Sequence, residues 1–293
     1  MDRRGLLHDA DALARDEAFV VLHGFTRIDV SGVDAVAWLH DLLTADIASL
    51  ADHGAVRSFV LTPTGRIRAE VRVIRRPGSV ELVERSDEAT SIASILAPYV
   101  LSSDVTFGEP EAVALVAVPG ATQLPHLTFA SATPSMLGDG LDVVSRVDDV
   151  DAVRRALSPR REVSPEAAEA LRIRLGIPRW RVDLHPDSFP VGAGVDAAMA
   201  FAKGCYLGQE AVARIRNLGH PPTVVRHLTT AADVRVGAAV VAPGGRGEVT
   251  SAAPADEHGG TVVLARVAHG ASAAPLALED GTPLHDAGTI PSA

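Results

Sequence analysis

The sequence predicts an α+β fold ending in a small β-barrel, and three observations carry that prediction. Val56 to Thr62 and Ile67 to Ile74 are two strand-like runs joined by Pro63-Thr64-Gly65, a tight-turn signature. Ser164-Pro165-Glu166 opens a helix in the favoured order of cap, proline and acid. Beyond Pro221-Pro222 the composition turns to short Val-rich strands separated by glycines, the pattern of a small barrel.

In chain order, residues 1 to 17 are charged and read as loosely structured. Phe19 to Leu22 and Arg27 to Val30 read as two short strands. Ser31 then caps a helix on which Val33, Val36, Ala37, Leu39, Leu42 and Leu43 recur at helical spacing. In the second hairpin strand, alternation assigns Ile67, Ala69, Val71 and Val73 to one face and Arg66, Arg68, Glu70 and Arg72 to the other. Pro77-Gly78 leads into a strand at Val80 to Val83, and Ser86 or Asp87 caps a helix with Ile92, Ile95 and Leu96. A second unit begins with a buried strand at Ala112 to Val118. It passes through a Pro/Gly/Ser-rich stretch, Pro119 to Gly140, to a strand at Leu141 to Ser145 and a helix at Val150 to Leu157. The Ser164 helix carries Ala168, Leu171, Ile173 and Leu175 and stops at Gly176-Ile177-Pro178. The expected domains are 1–110, completed by 196–220; 111–195; and a barrel at 221–293, with Gly281 to Ala293 frayed.

The 293 residues, 47% of them hydrophobic, suffice for two or three packed cores. A formal charge of −10 and 4% aromatics disfavour a dedicated nucleic-acid binder. One cysteine excludes an intramolecular disulfide, a four-Cys zinc site and a cluster held by four cysteines of this chain. The histidines, among them His40, His53, His126, His185, His220 and His227, lack metal-ligand spacing. Without a signal-like h-region or a membrane-length apolar run, the expectation is a soluble cytoplasmic protein.

The most informative stretch is Lys203-Gly204-Cys205-Tyr206-Leu207-Gly208-Gln209-Glu210. It holds the single cysteine and the single lysine among 27 basic residues. Lysine and arginine differ in shape and titration, so a site can require one and reject the other. A helix starting at Gly208 would set Cys205 before its positive end, and that dipole and the Lys203 ammonium would both favour a thiolate. A small buried hydrophobe is the competing reading of a lone cysteine. Gln209 and Glu210 fall in the first turn, and Arg214 lies one turn beyond Glu210, placed for a helix-face ion pair.

This octapeptide resembles the KGCYxGQE signature of the YgfZ family, relatives of the glycine-cleavage T-protein (aminomethyltransferase). Ser31-Gly32-Val33-Asp34-Ala35, Leu61 to Ile67, Ala170 to Pro178 and Gly247-Glu248-Val249-Thr250-Ser251 extend the resemblance over most of the chain. It implies three domains in a ring, tetrahydrofolate in a central channel beside the motif, and support of iron–sulfur cluster assembly or repair, with indirect effects on tRNA modification. Cys205 and Lys203 take the reactive positions, with Gly204, Tyr206, Gly208, Gln209, Glu210 and Arg214 around them. The implied partners are folate and iron–sulfur enzymes or assembly proteins, without direct nucleic-acid binding or a membrane. Arg66 and Arg172 are candidates for the carboxylates of a glutamyl tail. Two departures stand out: Arg174 where relatives often carry a small or acidic residue, and Val191-Gly192 where they often carry a polar one. The second removes a group that would pair with a pterin edge, leaving Asp183 as the nearest acid, with solvated surface as its competing fate. The alternative activity is a tetrahydrofolate-dependent aminomethyltransferase of the T-protein class.

Overall fold

The computed structural model describes residues 2–125, 127 and 131–287; His126 and residues 288–293 lie outside them. Its spine is β1 (Ala18–Ser31), one 14-residue strand where the sequence suggests two. The gap between them is a bulge at His23-Gly24, where the register with β6 (Glu111–Pro119) shifts between Leu22 and Phe25. A bulge absorbs extra residues without ending the ladder, so local polarity there does not mark a strand end.

Along one edge β1 pairs with β6 and β5 (Thr106–Phe107). Along the other it pairs with β4 (Ser79–Arg85) and, in parallel at Ala18 to Val20, with β9 (Arg161–Val163). β2 (Ala55–Leu61) and β3 (Ile67–Arg76) extend the β4 side, and β8 (Gly140–Arg146) and β7 (Ser131–Pro134) the β6 side. The order is β2-β3-β4-β1-β6-β8-β7. Through β1 and β6 the ladder runs unbroken from the first expected domain into the second. The remaining strands, β10 (Thr223–Thr230), β11 (Ala239–Ala242), β12 (Gly245–Asp256), β13 (Gly259–Ala268), β14 (Leu276–Leu278) and β15 (Pro283–Asp286), close a six-stranded barrel. β15 places part of the stretch expected to fray inside that barrel.

The helices correct several local expectations. Residues 3 to 14 are not loose but form α1 (Arg3–Ala14), capped by the Asp2 carboxylate accepting from Gly5 N–H. Leu7, Ala10 and Leu13 are buried along it, packing with Ala167, Ala168 and Leu171 of α5 (Pro165–Arg174). The intervening charges dilute this stripe in the sequence. α2 (Ala35–Leu42) begins after Asp34, because Ser31 is still the last residue of β1. α3 (Ile92–Leu96) is capped by Ser91, whose hydroxyl accepts from Ser94 N–H, and not by Ser86 or Asp87. Both helices cover one sheet face over Val30, Leu39, Leu43, Val71, Leu82 and Leu96. α4 (Val150–Ala156) packs with Val116, Val118 and Val143 through Val150 and Val153. α6 (Gln209–Leu218) follows the octapeptide.

Arg72, assigned by alternation to a polar face, is buried. From β3 its guanidinium donates to Asp142 on β8 at 2.5 Å and to Thr133 Oγ1 and the Pro134 carbonyl on β7. Since β3 and β7 lie near opposite ends of the sheet order, these bonds require the sheet to curl until its ends meet. Asp142 also accepts from Ser135 Oγ and Met136 N–H, which satisfies the charge from both sides. Removing one member of such a pair leaves a buried, uncompensated charge. Asp142→Ala is therefore expected to lose about 3–5 kcal/mol in urea unfolding, and Arg72→Met with Asp142→Leu to recover much of it. A loss under about 1 kcal/mol in the single variant would show that the clasp does not hold the curl.

Candidate functional site

The octapeptide is pinned to the outer side of the sheet. The Lys203 ammonium donates to the carbonyls of His40, Leu43 and Ala45 at 2.5, 2.5 and 2.8 Å. These carbonyls lie at and just beyond the C-terminal end of α2, where backbone acceptors lack helical partners. Three acceptors around one nitrogen match an ammonium, with its three donors, and not a planar guanidinium. Burial pulls the Lys203 pKa down to about 8 against Asp46 and Asp41, so the group stays largely charged at neutral pH. Its charge is thus engaged by α2, and it also lies over the Tyr206 ring, 4.9 Å from the centroid.

Tyr206 is buried beside Phe59, Leu61, Met199 and Val212, and burial raises its phenol pKa. Leu207 N–H donates to Asp41 O, tying the following residue to α2 as well. Gly208 adopts φ +83°, and a Cβ there would come within 2.5 Å of the Thr62 carbonyl. The close approach seats the start of α6 on the β2–β3 turn. Cys205 lies between these anchors and is exposed, which sets aside the buried-hydrophobe reading. It is four residues before Gln209, the first residue of α6, so it is not at the helix mouth. Tyr206 N–H donates to Gln209 Oε1, and Arg214 bonds Glu210 at 3.0 Å on an exposed face.

A cavity of about 770 Å³ lies elsewhere, bounded by both halves of the curled sheet, α5 and barrel residues Ala252 to Pro254. No residue of the octapeptide lines it. Val191 and Gly192 do not line it either: Val191 packs in the Tyr206 cluster, and Gly192 accepts from Val225 N–H on β10. The departure at Val191-Gly192 therefore takes no polar group from this cavity.

The residues expected to hold folate divide. Arg66 is outside the lining, stacked over Phe189 at 4.7 Å and bonded to Asp187 O. Arg172 lines the cavity, yet its donors go to Glu169, Ile177 O, Asp183 and Ser251. Asp183 is fully buried and not a surface acid. It accepts from Arg172, Arg179 N–H, Thr250 and Ser251, which occupies both oxygens. Arg174, the other departure, pairs with Asp11 of α1 at 2.7 Å.

Sequence reasoning missed the polar groups that do line the cavity. Arg57 pairs with Glu70, while its Nε, Arg72 Nε and Trp180 Nε1 are enclosed donors without a partner among the described residues and do not open onto the cavity. Arg85 and Arg179 lie half-exposed in the lining, paired with Asp87 and Glu169. Glu84 is buried, and its one hydrogen bond among the described residues is from Ile92 N–H to Oε2. Burial raises its pKa to about 7; the Ile92 N–H opposes that rise and nearby Glu88 adds to it. Alternation at Val83-Glu84-Arg85 was the available signal, an acid inside a buried strand, but its burial depends on α3 and the sheet curl.

Two outcomes follow. Lys203→Arg is expected to lose about 1–3 kcal/mol in urea unfolding, because the cage leaves carbonyls unpaired, whereas exposed Cys205→Ala stays within about 0.5 kcal/mol of the parent. Equal stability of Lys203→Arg and the parent would contradict the cage. For Glu84, the folded carboxyl keeps its proton up to about 7 while the unfolded one releases it near 4.5. Stability from this group therefore falls as pH rises through that window, by about 1–2 kcal/mol after solvent screening. Unfolding near pH 5 and near pH 7.5 should show that decline in the parent and a flatter profile in Glu84→Gln.

No family model matches the chain. It is similar to the tRNA-modifying protein YgfZ of Klebsiella pneumoniae (strain 342), with 28% identity over 221 residues and 68% of each chain covered. The YgfZ of Edwardsiella ictaluri is 29% identical over 221 residues, covering 68% of this chain and 66% of the relative. That of Enterobacter sp. (strain 638) is 26% identical, with 68% of each covered. The crystal structure of glycine cleavage system aminomethyltransferase T from Bartonella henselae superposes with a TM-score of 0.78 at 20% identity, covering 97% of this chain and 89% of that one. The KGCYLGQE octapeptide and these relatives together support a YgfZ family assignment, on a fold shared with aminomethyltransferase T.

Proposed function

We propose that this chain is a folate-binding protein that supports assembly or repair of iron–sulfur clusters, and through client enzymes tRNA modification, with Cys205 as its reactive group. The observation that carries the folate half is the cavity. Its volume of about 770 Å³ falls in the usual range for cofactor sites. Its lining includes an indole, Trp180, and two half-exposed arginines, Arg85 and Arg179. A reduced folate has matching parts: a flat pterin with donors and acceptors on its edge, and a tail of carboxylates. Trp180 would stack on the pterin or the benzoyl ring, and Arg85 and Arg179 would receive the tail. Bound there, tetrahydrofolate supplies a one-carbon carrier and a reduced pterin.

The cysteine half rests on exposure. One thiolate cannot hold a cluster alone, so Cys205 acts with a thiol or cluster ligand from an iron–sulfur enzyme or assembly protein. An exposed position on a pinned loop suits such an encounter. The cavity wall and the motif share one packed cluster, since Trp180 and Tyr206 both belong to it. Direct contact between the cavity ligand and the thiol is not part of this reading.

Saturating 5-formyl-tetrahydrofolate at about 100 times its Kd is expected to raise the melting temperature by about 4 °C. No shift at millimolar ligand would remove folate from the reading. Cys205→Ala is expected to fold, yet fail to restore iron–sulfur enzyme activity in a deletion strain. Full restoration would remove the cysteine mechanism and leave the cavity untouched.

A further inference from the structure

We infer that Arg181 and Glu88 form a latch across the mouth of the cavity, holding shut a gate through which its ligand enters and leaves. The latch rests on the folate reading above for its ligand and adds to it a step of entry. Two turns meet at this part of the cavity. The one after β4 brings Arg85 and Glu88 to the lining, and the one after α5 brings Arg179 and Trp180. Arg85 and Arg179 are 45% and 46% exposed, which marks this stretch of the lining as the rim. Arg181 lies outside the lining and is half-exposed as well.

The two turns are tied directly. Arg181 Nε and Nη2 both donate to Glu88 Oε2, at 3.2 and 2.9 Å. From Arg85 to Thr90 every residue is exposed except Glu88, whose side chain, engaged by the guanidinium, is only 10% exposed. The same guanidinium sits over the Trp180 ring, 5.2 Å from its centroid. The turns also lie close enough for Arg179 to act on Asp87. That carboxyl is held below the usual range, chiefly by its hydrogen bond from Arg85 and in small part by Arg179. Arg181 adopts φ +67°, a left-handed conformation that a Cβ makes costly. A glycine would meet that backbone demand without strain, so an arginine held there points to work for its side chain.

The two sides are unequally fixed. The turn after α5 is held by Asp183, which accepts from Arg172, Arg179 N–H, Thr250 and Ser251, and by Arg181 N–H donating to Leu184 O at 2.8 Å. The turn after β4 is anchored at its two ends, by Ser86 N–H to Gly24 O and by the Ser91 cap of α3. Between those ends Glu88 N–H reaches only Arg85 O of its own turn, at 3.4 Å. Among the described residues, the Arg181 pair is thus the hydrogen-bonded tie from this turn to the facing one. The β4 turn is the moving part: when the pair separates, Glu88 swings out with it and the rim widens. A latch that closes equally with and without ligand slows entry and exit by the same factor and leaves affinity unchanged.

Rates therefore test the latch where affinity alone would miss it. Of the two tryptophans in the chain, Trp180 lines the cavity and reports on its occupant. Stopped-flow fluorescence of the full chain mixed with 5-formyl-tetrahydrofolate reads association and dissociation. Glu88→Gln and Arg181→Gln are each expected to raise both rates about tenfold, with Kd within about threefold of the parent. Arg181→Gly, which suits the left-handed backbone, should raise the rates equally while melting no lower than the parent, so it separates loss of the latch from loss of the fold. Rates equal to the parent's in all three variants overturn the latch and leave folate binding in place. Faster dissociation with unchanged association also overturns it, since the pair would then be a ligand contact and not a gate. Absence of parent binding at millimolar ligand overturns the folate reading, and the latch with it.

Discussion

The Arg172–Asp183 pair is the constraint on which the site's architecture depends. Arg172 projects from α5 and is buried, with every guanidinium nitrogen bonded: to Glu169 on its own helix, to Ile177 O at the helix end, and to Ser251 on the barrel. Asp183 answers its charge and takes two barrel hydroxyls as well. A buried ion pair is tolerated when hydrogen bonds satisfy both partners, and here they do. The pair joins α5, the turn after it and the barrel into one wall. It also explains why these two residues, attractive as ligand contacts in the sequence, have no free valence to offer one.

A second buried arginine shapes the opposite wall. Arg72 draws β3 to β7 and β8, so a sheet that could lie open is curled. The cavity is what remains between the curled sheet and the Arg172 wall. Its lining carries two half-exposed arginines, Arg85 and Arg179, among otherwise paired or apolar groups. The octapeptide is held separately by the Lys203 cage and the buried Tyr206 ring. Ligand chemistry and thiol chemistry are therefore placed on two surfaces of one packed cluster, with Trp180 on one side and Tyr206 toward the other.

Local chemistry made much of the fold legible. The Pro63-Thr64-Gly65 hairpin, the Ser164-Pro165 helix start and the Val-rich barrel strands each rest on neighbouring residues, and each stands in the structure. Long-range contacts decided the rest. α1 was hidden because its apolar stripe pays off only against α5. Arg72 and Glu84 sit at positions that alternation cannot rank, since their burial depends on strands and a helix far along the chain. The isolation of Lys203 among arginines was a true signal, and the geometry gives it a structural cause, since three carbonyls at the end of α2 select an ammonium. Glycine at 208 likewise answers a neighbouring backbone and not a ligand.

The central claim is that a folate occupies the cavity while Cys205 works at the outer surface. Diffraction from crystals grown with 5-formyl-tetrahydrofolate tests it most directly. The account predicts ligand density between Arg85, Trp180 and the α5 wall, with the octapeptide free of it. Density beside Cys205 with an empty cavity would contradict the account.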